Sequence, residues 1–237
     1  MQFEEIDNIL YTMKKIMLTL ALCTVIAAGA VAPDRDWADY SRYAAANAAL
    51  TQAPEVVFMG NSITDGWDDA DPSFFTDNNY ACRGIAGQVT AQMLCRFRDD
   101  VINLKPKAVV ILAGVNDIAK NNGTVTLEHI LGNIVSMAEL ARVHGIEPIL
   151  CSPTPVDYFY WRPEVGDPRE DVKELRDMIK SYARQQGITY VDYYSALAMD
   201  DDSMNPAYTA DRIHPNAAGY AIMEPIIQSA ISHTLNK

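Results

Sequence analysis

The sequence predicts an α/β protein in which one parallel sheet carries helices on both faces. Three observations point there. Apolar runs alternate with amphipathic stretches along the chain, the pattern of repeated β-α-β units. The run 108–113 (AVVILA) holds no polar residue, as a central strand buried on both faces requires. Gly145 and Gly187 each close a long amphipathic stretch, where a helix end favours a residue that can turn left-handed.

Taken in order, residues 36–50, rich in Ala and Tyr, read as a helix, and 55–59 as the first buried strand. A short second strand follows at 80–83. The stretch 88–102 reads as a helix, with Val89, Met93, Phe97 and Val101 repeating along one face. After the third strand at 108–113 come a long helix at 127–144 and a fourth strand at 147–151. A charged amphipathic helix at 169–186, a fifth strand at 189–192 and a final helix at 216–234 complete the chain, the last opening at Pro215 or Asn216. Right-handed crossovers put helices on both faces of such a sheet. Ligands then bind beyond the carboxyl ends of the strands. The site is therefore expected among Gly60-Asn61-Ser62, Gly84 to Gly87, Gly114 to Asp117, and the segments after Cys151 and Asp192.

Composition narrows the function. With 237 residues, 49% hydrophobic and 21% charged, the chain can bury a core without metal or disulfide staples. A formal charge of −12 repels phosphate backbones and argues against nucleic acid as a partner. The cysteines lack zinc-ligand spacing, and Cys82, Cys95 and Cys151 are expected as buried, inert thiols. At the N-terminus, Met13-Lys14-Lys15, an apolar run over 16–30 and the small exit Ala28-Gly29-Ala30 read as a secretory signal that takes Cys23 with it. A lipoprotein signal fits poorly, because Leu22 is large where a small residue is wanted before Cys23. The apolar run is short for a spanning helix, so no stable membrane insertion is expected after its removal. Residues 1–32 are thus expected to be an upstream extension plus signal with its start at Met13, and 33–237 an exported domain, periplasmic or extracellular.

Four short segments carry the chemistry. Ser62 follows the first strand where the chain turns, so its hydroxyl projects above the sheet edge. A serine needs a base to become a nucleophile. Asp211 and His214 lie three residues apart ahead of the last helix, so the carboxylate can hold one ring nitrogen and leave the other for Ser62. Asn116 follows the most apolar strand, and Gly87 opens the next helix with an unobstructed N–H. The N–H of Ser62, the N–H of Gly87 and the Asn116 amide would then converge as an oxyanion hole. Each residue alone also fits a plain role: a helix cap for Ser62, a surface pair for Asp211 and His214, a turn for Asn116, a helix start for Gly87.

In order and spacing, Gly60-Asn61-Ser62-Ile63, Gly84-Ile85-Ala86-Gly87, Gly114-Val115-Asn116-Asp117 and Asp211-Arg212-Ile213-His214-Pro215 resemble the blocks of the SGNH (GDSL-type) hydrolase family. The resemblance spans roughly 55–231. It lies nearest the branch resembling platelet-activating-factor acetylhydrolase subunits and bacterial carbohydrate acetylesterases. It implies a three-layer α/β/α sandwich with a five-stranded, parallel, flavodoxin-like sheet. It also implies a triad of Ser62, Asp211 and His214, an oxyanion hole of Ser62, Gly87 and Asn116, and hydrolysis through an acyl-serine with no metal or other cofactor. Two positions depart from the pattern. Asn61 stands where the family usually has Asp, and Gln88 where Asp is common, which leaves open how the loop at Gly87 is steadied.

For the substrate, Tyr158, Phe159, Tyr160 and Trp161 cluster in the segment 154–168, which follows the fourth strand and overhangs the crevice. Tyr158, Trp161 and Trp67 are the candidate substrate contacts, although the rings fit equally well as packing on their own loop. With no long apolar lid in the sequence, a short acyl ester is expected, most simply acetyl on a carbohydrate. A lysophospholipase or thioesterase with the same triad, and a non-catalytic carbohydrate-binding domain, are the alternatives.

Overall fold

The computed structural model describes residues 36–236. The expected signal and upstream extension, Cys23 included, lie outside them. The described chain runs α1 (Ala44–Ala49), β1 (Val56–Gly60), α2 (Ser62–Ala70), α3 (Pro72–Thr76), β2 (Tyr80–Gly84) and α4 (Thr90–Asp100), then a 3-10 turn. It continues with β3 (Ala108–Leu112), α5 (Val115–Ile118), α6 (Leu127–Val143), β4 (Glu147–Cys151), α7 (Arg169–Gln186), β5 (Thr189–Val191), α8 (Tyr193–Leu197) and α9 (Ala217–Leu235).

All five strands are parallel, in the order β2-β1-β3-β4-β5. Alternation along each strand divides the core into two layers, because successive side chains leave opposite faces. Val57, Met59, Val109, Ile111 and Leu150 pack under α4, α6 and α7 through Met93, Phe97, Ile134, Met137, Leu175 and Ile179. Val56, Phe58, Val110, Leu112, Ile149 and Cys151 face α2, α3, α8 and α9 through Ile63, Trp67, Phe74, Tyr193, Met223 and Ile227. The architecture is therefore the three-layer α/β/α sandwich with a five-stranded parallel sheet. From β1 the chain goes outward to β2 and returns across to β3. The crevice beyond the ends of β1 and β3 is the point where such folds hold ligands.

The expected helix over 36–50 shrinks to Ala44–Ala49, which buries none of its residues. The reason is that its backbone has other partners. Gln88 and Gln92 donate to the carbonyls of Ala38 and Trp37 at 2.8 and 2.6 Å, and Asp39 is left-handed at φ 56°, which breaks helical continuity. The short helices α2, α3, α5 and α8 were not expected, since each is too brief for an apolar period to register. The free thiols of Cys82 and Cys151 are buried, and burial pushes Cys82 up to about 12. Cys95 corrects the expectation: it is exposed, because α4 turns Met93, Arg96 and Phe97 inward instead.

Candidate active site

The site grows from three strand ends. β1 ends at Gly60, a position that only glycine fits, since a Cβ there would lie 1.9 Å from Thr64 Oγ1 and 3.1 Å from the Leu112 carbonyl. Asn61 then caps α2, its Oδ1 accepting the Ile63 N–H at 3.0 Å. That makes Ser62 the first residue of the helix, with its N–H among those a helix leaves unbonded. The Asn that replaces the usual Asp therefore keeps a capping oxygen. Tyr220 in α9 donates to the Ile63 carbonyl at 2.8 Å and holds this turn from the other side.

His214 Nε2 lies 2.9 Å from Ser62 Oγ, and His214 Nδ1 lies 2.6 Å from Asp211 Oδ2. The segment before α9 is wound locally to achieve this. Asp211 Oδ1 accepts the N–H of Ile213 at 3.0 Å and of His214 at 2.8 Å, while Thr209 Oγ1 donates to it at 3.2 Å. Arg212 sits left-handed at φ 72° and sends its guanidinium to Asp157. Burial pushes the Asp211 carboxyl up. The bonds from the His214 ring and from the His214 and Ile213 N–H groups outweigh that and hold it below its ordinary range. An ionised carboxylate on Nδ1 leaves Nε2 as the nitrogen that faces Ser62.

Opposite Ser62, the loop between β2 and α4 carries Gly87 at φ 78°, a left-handed backbone suited to glycine. The short helix α5, just after β3, holds it from beside. Asn116 Nδ2 donates to the Gln88 carbonyl at 3.0 Å, which uses one of its two hydrogens and leaves the other. Asp117 accepts the Thr90 N–H at 2.9 Å and the Thr90 hydroxyl at 2.6 Å, capping α4. Burial of Asp117 raises its carboxyl to about 6 against those bonds. Gln88 takes over the steadying that the family pattern assigns to Asp. It is buried, donates to Ala38 and accepts from Arg96 Nε at 2.6 Å. Arg96 is wholly buried and reaches the Gly60 carbonyl at 3.0 Å, the Arg83 carbonyl at 2.9 Å and Asp100 at 2.8 Å.

These elements line a crevice of about 510 Å³ bounded by Ser62, Ala86, Gly87, Asn116, Asn121, Tyr160, Trp161, Arg162 and His214. Ser62, Gly87, Asn116 and His214 are thus brought together, with Asp211 behind the histidine. Of the candidate substrate contacts, only Trp161 is on the wall. Trp67 is 1% exposed, stacked on Phe74 and Tyr220 with its Nε1 donating to Glu224, because the face of α2 that bears it turns into the core. Tyr158 lies under the Arg212 guanidinium at 5.8 Å and does not line the crevice. Phe159 is buried as the base of the loop. Asn121, Tyr160 and Arg162 were not singled out from the sequence as site residues. Asn121 opens an Asn-Asn-Gly turn after β3, a signal that marked a turn but not its direction. Among the described residues no group of three His, Cys, Asp or Glu side chains is placed to hold a metal ion, and no helix is long and apolar enough to cross a membrane.

The model of the GDSL-like Lipase/Acylhydrolase family matches residues 58–222. The crystal structure of a GDSL-like lipase from Bacteroides thetaiotaomicron is 46% identical, with a TM-score of 0.81, over 83% of this chain and 98% of that one. An acetylxylan esterase of Geobacillus stearothermophilus is 26% identical over 145 residues, covering 60% of this chain and 66% of that protein. An uncharacterized lipoprotein of Bacillus subtilis is 38% identical over 76 residues, 31% of each chain. The match thus spans about a third of the lipoprotein and just under two thirds of the esterase.

Proposed function

This chain belongs to the GDSL-like lipase/acylhydrolase family and with it to the ester hydrolases, and from there we propose that it is an exported serine esterase acting on short acyl esters, acetyl esters of carbohydrates first. The observation that carries the reading is the alignment of Ser62 Oγ, His214 and Asp211 at 2.9 and 2.6 Å. In this reading Ser62 Oγ attacks the ester carbon as its proton passes to His214 Nε2, and Asp211 holds the imidazolium. The oxyanion forms against the N–H of Ser62, the N–H of Gly87 and the second hydrogen of Asn116 Nδ2. His214 returns the proton to the departing alcohol, leaving an acyl-serine. Water, deprotonated by His214, then releases the acid and restores Ser62.

The carbohydrate assignment rests on the wall opposite the triad. Tyr160 and Trp161 meet edge to face at 4.9 Å, and Arg162 follows them on the crevice. Aromatic faces beside hydrogen-bonding groups suit a sugar ring, and the relative from Geobacillus stearothermophilus is an acetylxylan esterase. Around Ser62 the crevice is lined by the small or polar residues Ala86, Gly87, Asn116 and Asn121, with no aliphatic side chain larger than Ala86 to receive a long acyl chain. Export rests on the N-terminal pattern, and the lipoprotein relative accords with it. The test is hydrolysis of 4-nitrophenyl acetate, butyrate and octanoate by the mature protein beside Ser62→Ala. Turnover that needs Ser62 and falls with chain length is expected. Turnover rising with chain length would replace the sugar ester with a lipid or thioester. Equal rates in both proteins would leave a carbohydrate-binding domain without catalysis.

A further inference from the structure

We propose that Asn121 is a positioning residue: it locks the oxyanion loop from the substrate side of the crevice and ties that loop to the aromatic wall. The proposal rests on the reading of Gly87 and Asn116 as oxyanion donors. Three bonds converge on Asn121. Its Nδ2 donates to the Gly87 carbonyl at 3.1 Å, its Oδ1 accepts Trp161 Nε1–H at 2.7 Å, and its own N–H donates to the Asn116 carbonyl at 3.1 Å. The side chain thus joins the Gly87 backbone to the ring that a substrate would meet, and the Asn121 backbone is tied to that of Asn116.

The backbone is bent to place it there. Lys120, just before, is left-handed at φ 56°, a conformation that a residue with a side chain adopts at a cost. The Asn121–Gly123 bridge closes the turn after it. Such a conformation persists where surrounding bonds over-determine it, and it collects at functional sites. Gly87 has the opposite problem. It is exposed, and a Cβ there would meet nothing within 4 Å, so no neighbouring group packs against that position. Hydrogen bonds must hold it, and the one on its own carbonyl comes from Asn121. Both residues line the crevice and the bond is exposed, so an ester bound there would shield it from water and strengthen it.

The consequence is a loss in turnover rather than in binding, because a slack oxyanion loop weakens contacts made in the transition state. Asn121→Ala and Asn121→Asp are compared with wild type on 4-nitrophenyl acetate, beside Asn116→Ala and with the thermal midpoint of each. Asn121→Asp is nearly isosteric and keeps an acceptor for Trp161, but it deprives the Gly87 carbonyl of its donor. Both Asn121 variants are expected to lose about ten- to a hundred-fold in kcat with KM little changed. Wild-type kcat in Asn121→Asp would overturn the proposal and leave Asn121 as an anchor for Trp161 alone. A fall in thermal midpoint with kcat intact would overturn it in favour of a purely structural role. Loss in Asn116→Ala without loss in either Asn121 variant would sink this proposal and spare the oxyanion reading. Full kcat in all three would sink both.

Discussion

On the nucleophile side of the crevice, a buried arginine gathers distant parts of the chain. Arg96, in α4, bonds the Gly60 carbonyl that ends β1, the Arg83 carbonyl one residue before the end of β2, the side chain of Gln88 and the carboxylate of Asp100. On the base side, Asp211 and His214 are held mainly by Thr209 and by N–H groups within three residues, and both side chains stay about a third exposed. The first construction sets where an oxyanion would sit and costs much to disturb. Under the proposed mechanism the second holds a ring that gains and loses a proton, and local bonds allow that without straining the sheet. Stability and reactivity are thus expected to separate between the two sides.

The largest effect tests the base side. Asp211→Asn keeps an oxygen for the backbone N–H groups but removes the charge that fixes the imidazole, and a kcat loss of about ten-thousand-fold is expected. The urea midpoint should barely move, since the bonds lost are local and partly solvated. A large drop in midpoint would mean that this segment is structural after all, and the contrast between the two sides would fail. Next comes Arg96→Met, which takes the ion-pair partner from buried Asp100 and leaves it the Asn47 amide. Breaking one partner of a buried pair costs about 3–5 kcal/mol, readable as a shift of the urea midpoint. A loss under about 1 kcal/mol would show that the carbonyls of β1 and β2 hold their places without Arg96.

The smallest effect concerns Asp117, which caps α4 beside Gln88. Its folded carboxyl titrates near 6 because burial raises it, whereas in the unfolded chain it would titrate near the ordinary value of about 4. Between those values the folded state binds more protons, so this group's contribution to stability falls as pH rises from about 4 to about 6. Asp117→Asn removes that dependence. Urea midpoints measured across the interval should fall less steeply in the variant than in wild type, and parallel curves would contradict the assignment.

Much of this was readable before any coordinates. The strand runs were right to within a residue or so, because parallel strands buried on both faces are written as unbroken apolar segments. The long helices were right because Gly145 and Gly187 end them. The helix expected at 36–50 failed for a reason no periodicity carries: its carbonyls accept from Gln88 and Gln92, about fifty residues away. Trp67 was placed on the wall because it lies close to Ser62 in sequence, but a helix beginning at Ser62 turns position 67 into the core. Tyr158 belonged to the right loop, yet within it the chain gave Tyr160, Trp161 and Arg162 to the crevice and Tyr158 to Arg212.

By itself the sequence determined the class of fold, the order of its strands along the chain and four of the residues that meet at the crevice, Ser62, Gly87, Asn116 and His214, since strand ends and short motifs are local and each residue type restricts its chemistry. Only the tertiary structure decided what holds them in register. Arg96, Gln88 and Asn121 act through backbone carbonyls of other segments, and a carbonyl looks the same at every position of a sequence. Which one a buried side chain finds depends on how the loops fold back over the strand ends.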